Sequence, residues 1–135
     1  MTIPFARMSP LLLDTNVLID VLRDRNGRAD LLKKLARDGY WLMTSTISVA
    51  ELYAGLRKGE ELQTEALLEA LECVPVSIEI AQKAGMLRSG LRQIGRTHTL
   101  DDMIVAATAF ELDCPVLTEN KRDFQIEGLT LFPLS

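Results

Sequence analysis

Leu11-Leu12-Leu13-Asp14-Thr15-Asn16-Val17-Leu18-Ile19 is the stretch on which the fold turns. Consecutive leucines have no polar face, so residues 11–14 read as a short strand buried on both sides, as in a parallel sheet. Asp14 ends the run, and residues 15–22 read as a helix that starts directly after it.

The alternation continues along the chain. Asn26 is expected to cap a helix through Arg37, with stripe Ala29, Leu32, Leu35 and Ala36 and a stop at Gly39. Residues 40–44 read as a strand, and Ser45 or Thr46 opens a helix to about Leu56. Residues 60–71 are helical again. Residues 73–76 form a strand placed at a sheet edge by Pro75, which lacks a ladder donor. Residues 78–94 form a helix with stripe Ile80, Ala84, Leu87, Leu91 and Ile94, and residues 100–112 another. Residues 115–118 and 130–132 complete the strands. Strands separated by helices imply an α/β fold, a mostly parallel sheet with helices on both faces. In such sheets ligands bind beyond the carboxyl ends of the strands, where Asp14 and Thr118 stand.

With 135 residues the chain is expected to form one domain over 11–135, preceded by an N-terminal extension, 1–10, with no assigned role. Apolar content of 47% and charged content of 25% are those of an ordinary soluble globule. No apolar run approaches the ~20 residues of a membrane helix. Residues 1–10 lack the long apolar region of a secretory signal, so a cytoplasmic location is expected. Cys73 and Cys114 read as buried free thiols in a reducing compartment. The net charge of −4 argues against a non-specific nucleic-acid coat protein, which would be basic, but not against a nuclease.

Three acids occupy apolar surroundings, where an unpaired charge is costly. Asp14 ends the leucine run. Glu51 lies on the stripe Ile47, Ala50, Glu51, Ala54, and Asp102 on the stripe Asp102, Val105, Ala106, Ala109. Each has an alternative: Asp14 as a helix N-cap, Glu51 paired with Arg57 or Lys58, Asp102 as a first-turn acid behind a Thr99 cap. Asp101 reads as the first-turn acid that points away, with Asp102 facing inward. Asn120 and Asp123, in Thr118-Glu119-Asn120-Lys121-Arg122-Asp123-Phe124, are further ligand candidates or members of a polar loop. Clustered carboxylates raise one another's pKa, and a divalent cation removes that penalty. Oxygen donors without His or Cys suit Mg²⁺ or Mn²⁺ rather than zinc. His98 reads as a loop residue. Such sites perform phosphodiester chemistry.

The blocks at residues 12–19, 48–56 (Ser48-Val49-Ala50-Glu51-Leu52-Tyr53-Ala54-Gly55-Leu56), 102–109 and 118–124 resemble, in order, the four signature blocks of PIN domains, above all VapC-type toxins of VapBC toxin–antitoxin pairs. The resemblance runs from about Leu11 to Phe132. It implies a three-layer α/β/α sandwich, usually a homodimer, acting as a Mg²⁺- or Mn²⁺-dependent endoribonuclease. It implies inhibition by a small VapB-like antitoxin that often places a basic side chain in the acidic pocket. By position, Asp14, Glu51 and Asp102 are the core acids, Asp123 or Asn120 completes the set, and Thr15, Asn16 and Thr118 are polar supports.

Water activated by the metal would attack the phosphate in line and leave a 5′-phosphate. Arg88, Arg92 and Arg96 recur on one expected helix, and Lys121 and Arg122 flank the acids. Arg88, Lys121 and Arg122 are the RNA-contact candidates, against an ordinary solvated face. Leu31, Leu32, Leu35, Leu52 and Tyr53 are candidates for a dimer surface. The competing reading is a catalytically weak PIN-like module that binds RNA or protein. A phosphatase with an aspartate nucleophile would need a second Asp where Asn16 stands, and a receiver domain would need a mid-chain Asp where Thr44 ends a strand.

Overall fold

The computed structural model describes residues 8–134. The elements run β1 (Ser9–Leu13), α1 (Thr15–Leu22), α2 (Arg28–Arg37), β2 (Tyr40–Ser45), α3 (Thr46–Ala54), α4 (Glu61–Glu69), β3 (Glu72–Val74), α5 (Ile78–Gln93), α6 (Leu100–Leu112) and β4 (Val116–Leu117), followed by a 3-10 turn at Lys121–Phe124. The strands form one sheet in the order β3-β2-β1-β4, every neighbouring pair parallel. β3 is an edge, as Pro75 suggested. Most of the N-terminal extension, residues 1–7, lies outside the described residues.

The leucine run builds the layers because successive strand side chains point to opposite faces. Leu11 and Leu13 join one core with Val17, Leu18, Leu32, Leu35, Leu52 and Leu117, under α1, α2 and α3. Leu12 joins the other with Met43, Ile80, Ala84, Met103, Val116 and Phe124, under α5 and α6. All three leucines are fully buried. This is the three-layer α/β/α sandwich expected from the sequence. The chain winds from β1 outward through β2 and β3 on one side, then returns to place β4 on the other flank of β1. The β1–β4 seam is therefore the topological switch point, where α/β sheets open a crevice at their carboxyl ends. It is closed by Asp14 N donating to the Leu117 carbonyl (3.0 Å) and Leu12 N to the Pro115 carbonyl (3.0 Å).

Several expectations change. β1 starts at Ser9, which pairs with Tyr40, ahead of the expected Leu11. Asn26 does not cap α2; Gly27 holds that position in a left-handed conformation, and Asn26 Nδ2 donates to Asp20 instead. Residues 130–132 contribute a single bridge, Leu131 to Val116, rather than a full strand. Ile94 ends α5 but is 71% exposed, because the helix runs past the edge of the core. Arg96 lies beyond the helix, so the arginine row is broken. Leu32, Leu35 and Leu52 belong to the core and have no surface to offer a dimer; Tyr53 is exposed. Both cysteines are free, Cys114 buried and Cys73 only half-buried. Among the described residues no helix is long and apolar enough to cross a membrane.

Truncating a side chain at the centre of the sheet leaves a cavity. Leu12→Ala is expected to cost about 2–5 kcal/mol in urea unfolding, whereas Leu62→Ala, at an exposed position, changes stability by less than about 0.5 kcal/mol.

Candidate active site

Each acid is placed by the start or the flank of a helix. Asp14 is the N-cap of α1, and its Oδ1 accepts from Thr15 N at 2.8 Å. The capping role therefore coexists with a second one, because Oδ2 accepts from Thr118 Oγ1 across the β1–β4 seam at 2.8 Å. Thr118 is buried and also accepts from Asn120 N at 2.9 Å, so the loop after β4 is tied to Asp14. Asn16 supports the same loop: its Oδ1 accepts from Glu119 N at 3.2 Å. Arg28 forms a two-pronged ion pair with Glu119 that pins the loop from α2.

Glu51 stands on α3, whose N-cap Ser45 accepts from Ile47 N. The buried face of α3 is Ser48 and Leu52, not the expected Ala50 and Ala54, which lie exposed. Alanines have too little surface to decide which side turns inward, and Ser48 is drawn in beside Thr15, 2.9 Å between hydroxyl oxygens. Glu51 thus sits at the edge of that face, half-buried, with Oε1 accepting from Thr15 Oγ1 at 2.7 Å. It forms no ion pair with Arg57 or Lys58 among the described residues.

α6 opens with Thr99, whose hydroxyl accepts from Asp102 N at 3.3 Å. Asp102 lies near enough to Asp14 to raise its carboxyl electrostatically. Asp101 does not point away: its carboxyl shares a hydrogen bond with Glu51. Side chains at a helix start tilt toward the N-terminal end, so adjacent residues can both reach a site beyond it. Two successive acids behind a Thr cap carried that signal in the sequence. Asp123, on the 3-10 turn anchored by buried Phe124, accepts from Asn120 Nδ2 and raises the Asp102 carboxyl electrostatically.

The arrangement leaves its mark on titration. Burial pushes Asp14 up to about 6 against the bonds from Thr118 and Thr15, with Asp102 and Asp101 adding to the rise. Glu51 is pushed up to about 7, first by desolvation and then by the hydrogen bond with Asp101, which itself lies below the usual carboxylate range. Desolvation also raises Asp102.

Of the cationic candidates, Arg122 lines a cleft with Asn120 and Asp123. Arg88 Nε donates to the His98 carbonyl at 3.1 Å, and Lys121 Nζ donates to the Leu134 carbonyl at 3.4 Å. Arg88 therefore braces the segment between α5 and α6.

Residues 11–127 match the family model of the PIN domain. Ribonuclease VapC19 of Mycobacterium tuberculosis is 34% identical over 113 residues, covering 84% of this chain and 90% of that protein. A structure of VapBC2 from Rickettsia felis bound to a DNA fragment from their promoter superposes with a TM-score of 0.80 at 25% identity, over 93% of this chain and 99% of that one. A toxin–antitoxin complex from Klebsiella pneumoniae gives a TM-score of 0.75 at 26% identity, over 93% and 98%.

The raised carboxyls set a pH dependence of stability in protein freed of divalent ions by chelation. The folded state keeps protons on Asp14 and Glu51 that the unfolded chain, at 3.8 and 4.5, has lost. Their contribution is complete below the unfolded values and is lost as pH rises through about 6 and about 7. The melting temperature followed by circular dichroism should fall from about pH 5 to about pH 8, and Asp14→Asn should flatten the decline. An equally steep profile in the variant would contradict this assignment.

Proposed function

The chain belongs to the PIN domain family, and from that premise we propose that it is a Mg²⁺- or Mn²⁺-dependent endoribonuclease, the toxin of a toxin–antitoxin pair. One observation carries the reading: Asp14, Glu51 and Asp102 come from three separate elements to one edge of the sheet. None of them forms an ion pair among the described residues. The ribonuclease names of the relatives support the activity, and the toxin–antitoxin complexes among the structural neighbours support a VapB-like antitoxin partner.

The residues fit a hard divalent cation. Every candidate donor is an oxygen apart from the Asn120 amide nitrogen, and Asn120 also offers its carbonyl. Among the described residues no three acid, His or Cys side chains are placed so that they could hold a metal ion as they stand, so the acids would have to close on it. Mg²⁺ suits such a site, since it keeps several waters and uses one or two carboxylates. Asp14, Glu51, Asp102 and Asp123, with Asn120, are the residues that would hold it. When bound, the ion lowers the pKa of water and offsets charge building on the phosphate.

The chain's own groups do the positioning. Thr118 and Thr15 fix both oxygens of Asp14, and the Thr15 hydroxyl turns Glu51 toward the site. Asn16 and the Arg28–Glu119 pair hold the loop that carries Asn120 and Asp123. Hydrolysis in line releases the 3′ oxygen and leaves a 5′-phosphate. RNA is held by Arg122 beside the acids, with Arg88 and Lys121 as further contacts. A cationic side chain of the antitoxin would find the acids without an internal counter-charge. The active species is read as a homodimer in the cytoplasm, and the exposed Ile78 and Met86 of α5 and Ile94 just after it supply apolar surface that supports self-association.

The test is cleavage of mixed tRNA and structured RNA by antitoxin-free protein with Mg²⁺, Mn²⁺ or EDTA. Cutting should require the metal, yield 5′-phosphate ends, and fall at least about 100-fold in Asp14→Asn and in Asp102→Asn, the scale of losing one charge-stabilising group. Cutting in EDTA, or 2′,3′-cyclic phosphate ends, would contradict the mechanism. Folded protein that binds RNA but never cuts it would establish the binding-module reading instead.

A further inference from the structure

Between the segment after α5 and the 3-10 turn lies a polar cleft of about 400 Å³, lined by Arg96, Thr97, His98, Asn120, Arg122 and Asp123. His98 is the chain's single histidine and is 8% exposed. Among the described residues neither ring nitrogen has a hydrogen-bond partner, and both are shielded from solvent. A neutral imidazole carries one donor and one acceptor, and leaving either unpaired in the interior costs the full desolvation of that group. The segment is nonetheless held firmly. Arg88 grips the His98 carbonyl, and the next residue, Thr99, caps α6. The ring is kept beside the cleft at a cost, and no described residue supplies a hydrogen-bond partner to it, although Asp102 lies near enough to interact with it electrostatically.

The lining defines the chemistry of that partner. Two guanidinium-bearing residues and Thr97 line the cleft with donor groups, the His98 ring forms part of its wall, and neither Arg96 nor Arg122 is in an ion pair among the described residues. The single acid in the lining is Asp123, and the Asn120 amide already occupies one of its oxygens. A donor-rich, net positive cleft suits a phosphate, which guanidinium groups bind in a fork. Asp123 also belongs to the acidic cluster, so cleft and acids share a wall.

We propose that this cleft is a phosphate subsite, in which Arg96, His98 and Arg122 hold a backbone phosphate of the RNA strand next to the one that is cut. The subsite sets the register of the strand across the acids. The inference rests on the nuclease reading, but its test does not need turnover.

In EDTA the strand stays intact, and a single histidine makes the ring signals in a proton–carbon NMR spectrum unambiguous. A short single-stranded RNA and, separately, inorganic phosphate are titrated into the full chain. RNA should move the His98 signals. Arg96→Gln and Arg122→Gln should each lower the slope of log affinity against log salt by about one. His98→Phe keeps a ring but removes the orphaned nitrogens. Its melting temperature should hold or rise while RNA affinity falls roughly tenfold, the loss of one charge-assisted contact. Arg96→Gln, at a partly exposed position, keeps the test open if His98→Phe fails to fold. RNA binding that leaves the His98 signals unmoved and is unchanged in these variants would overturn the subsite alone. A destabilised His98→Phe with unaltered RNA affinity would do the same, making the histidine structural. Inorganic phosphate moving the signals while RNA binds nowhere would overturn the strand assignment and leave the nuclease reading to the cleavage assay.

Discussion

Carboxylates crowded at one edge of a sheet repel one another, and the remaining parts of the structure manage that repulsion. Asp14, Glu51, Asp101 and Asp102 are close enough to shift each other's titration. The fold offsets part of the cost with helix starts, where free N–H groups and the helix dipole favour negative charge. Asp14 caps α1, and Asp101 and Asp102 lie in the first turn of α6. Threonine hydroxyls offset more: Thr118 on Asp14, Thr15 on Glu51, Thr99 on Asp102. Burial raises Asp14 and Glu51 against these offsets, so the remainder is met by a greater hold on protons. A site that holds protons on its acids near neutral pH is one that a divalent cation can displace them from.

The sheet topology explains why the acids meet. β4 returns to the flank of β1 opposite β2, so the seam between β1 and β4 opens at the strand ends that carry Asp14 and Thr118. The same seam brings the 3-10 turn, with Asn120 and Asp123, against the start of α6. Phe124 anchors that turn in the α5–α6 core. Stability and site geometry are thus carried by the same few side chains. The alternation of Leu11, Leu12 and Leu13 between the two cores fixes the rotation of β1 and, with it, the direction of Asp14.

Much of this was legible in the sequence. Leucines without a polar face announced a buried parallel strand, and α1 and α6 fall at the residues that their caps and periodicity indicated. Other features were hidden for physical reasons. α3 carries alanines where its buried face was expected, and a small side chain contributes too little to overrule the Ser48–Thr15 contact. Asp101 was assigned to solvent by a helical-wheel argument that fails in the first turn. Ile94 followed the helical period but lies past the point where the core ends. The two orphaned nitrogens of His98 could not be anticipated, since orphaning is a property of packing. The Arg28–Glu119 pair joins residues far apart in sequence, and no local pattern marks it.

The central claim is that the acids hold protons which a hard cation displaces. Isothermal titration of Mn²⁺ into chelator-stripped protein at about pH 6, in buffers of different ionisation enthalpy, counts the protons released per ion bound. The account predicts roughly one proton or more per ion, falling in Asp14→Asn. Binding that releases no proton, or an unchanged count in that variant, would contradict it.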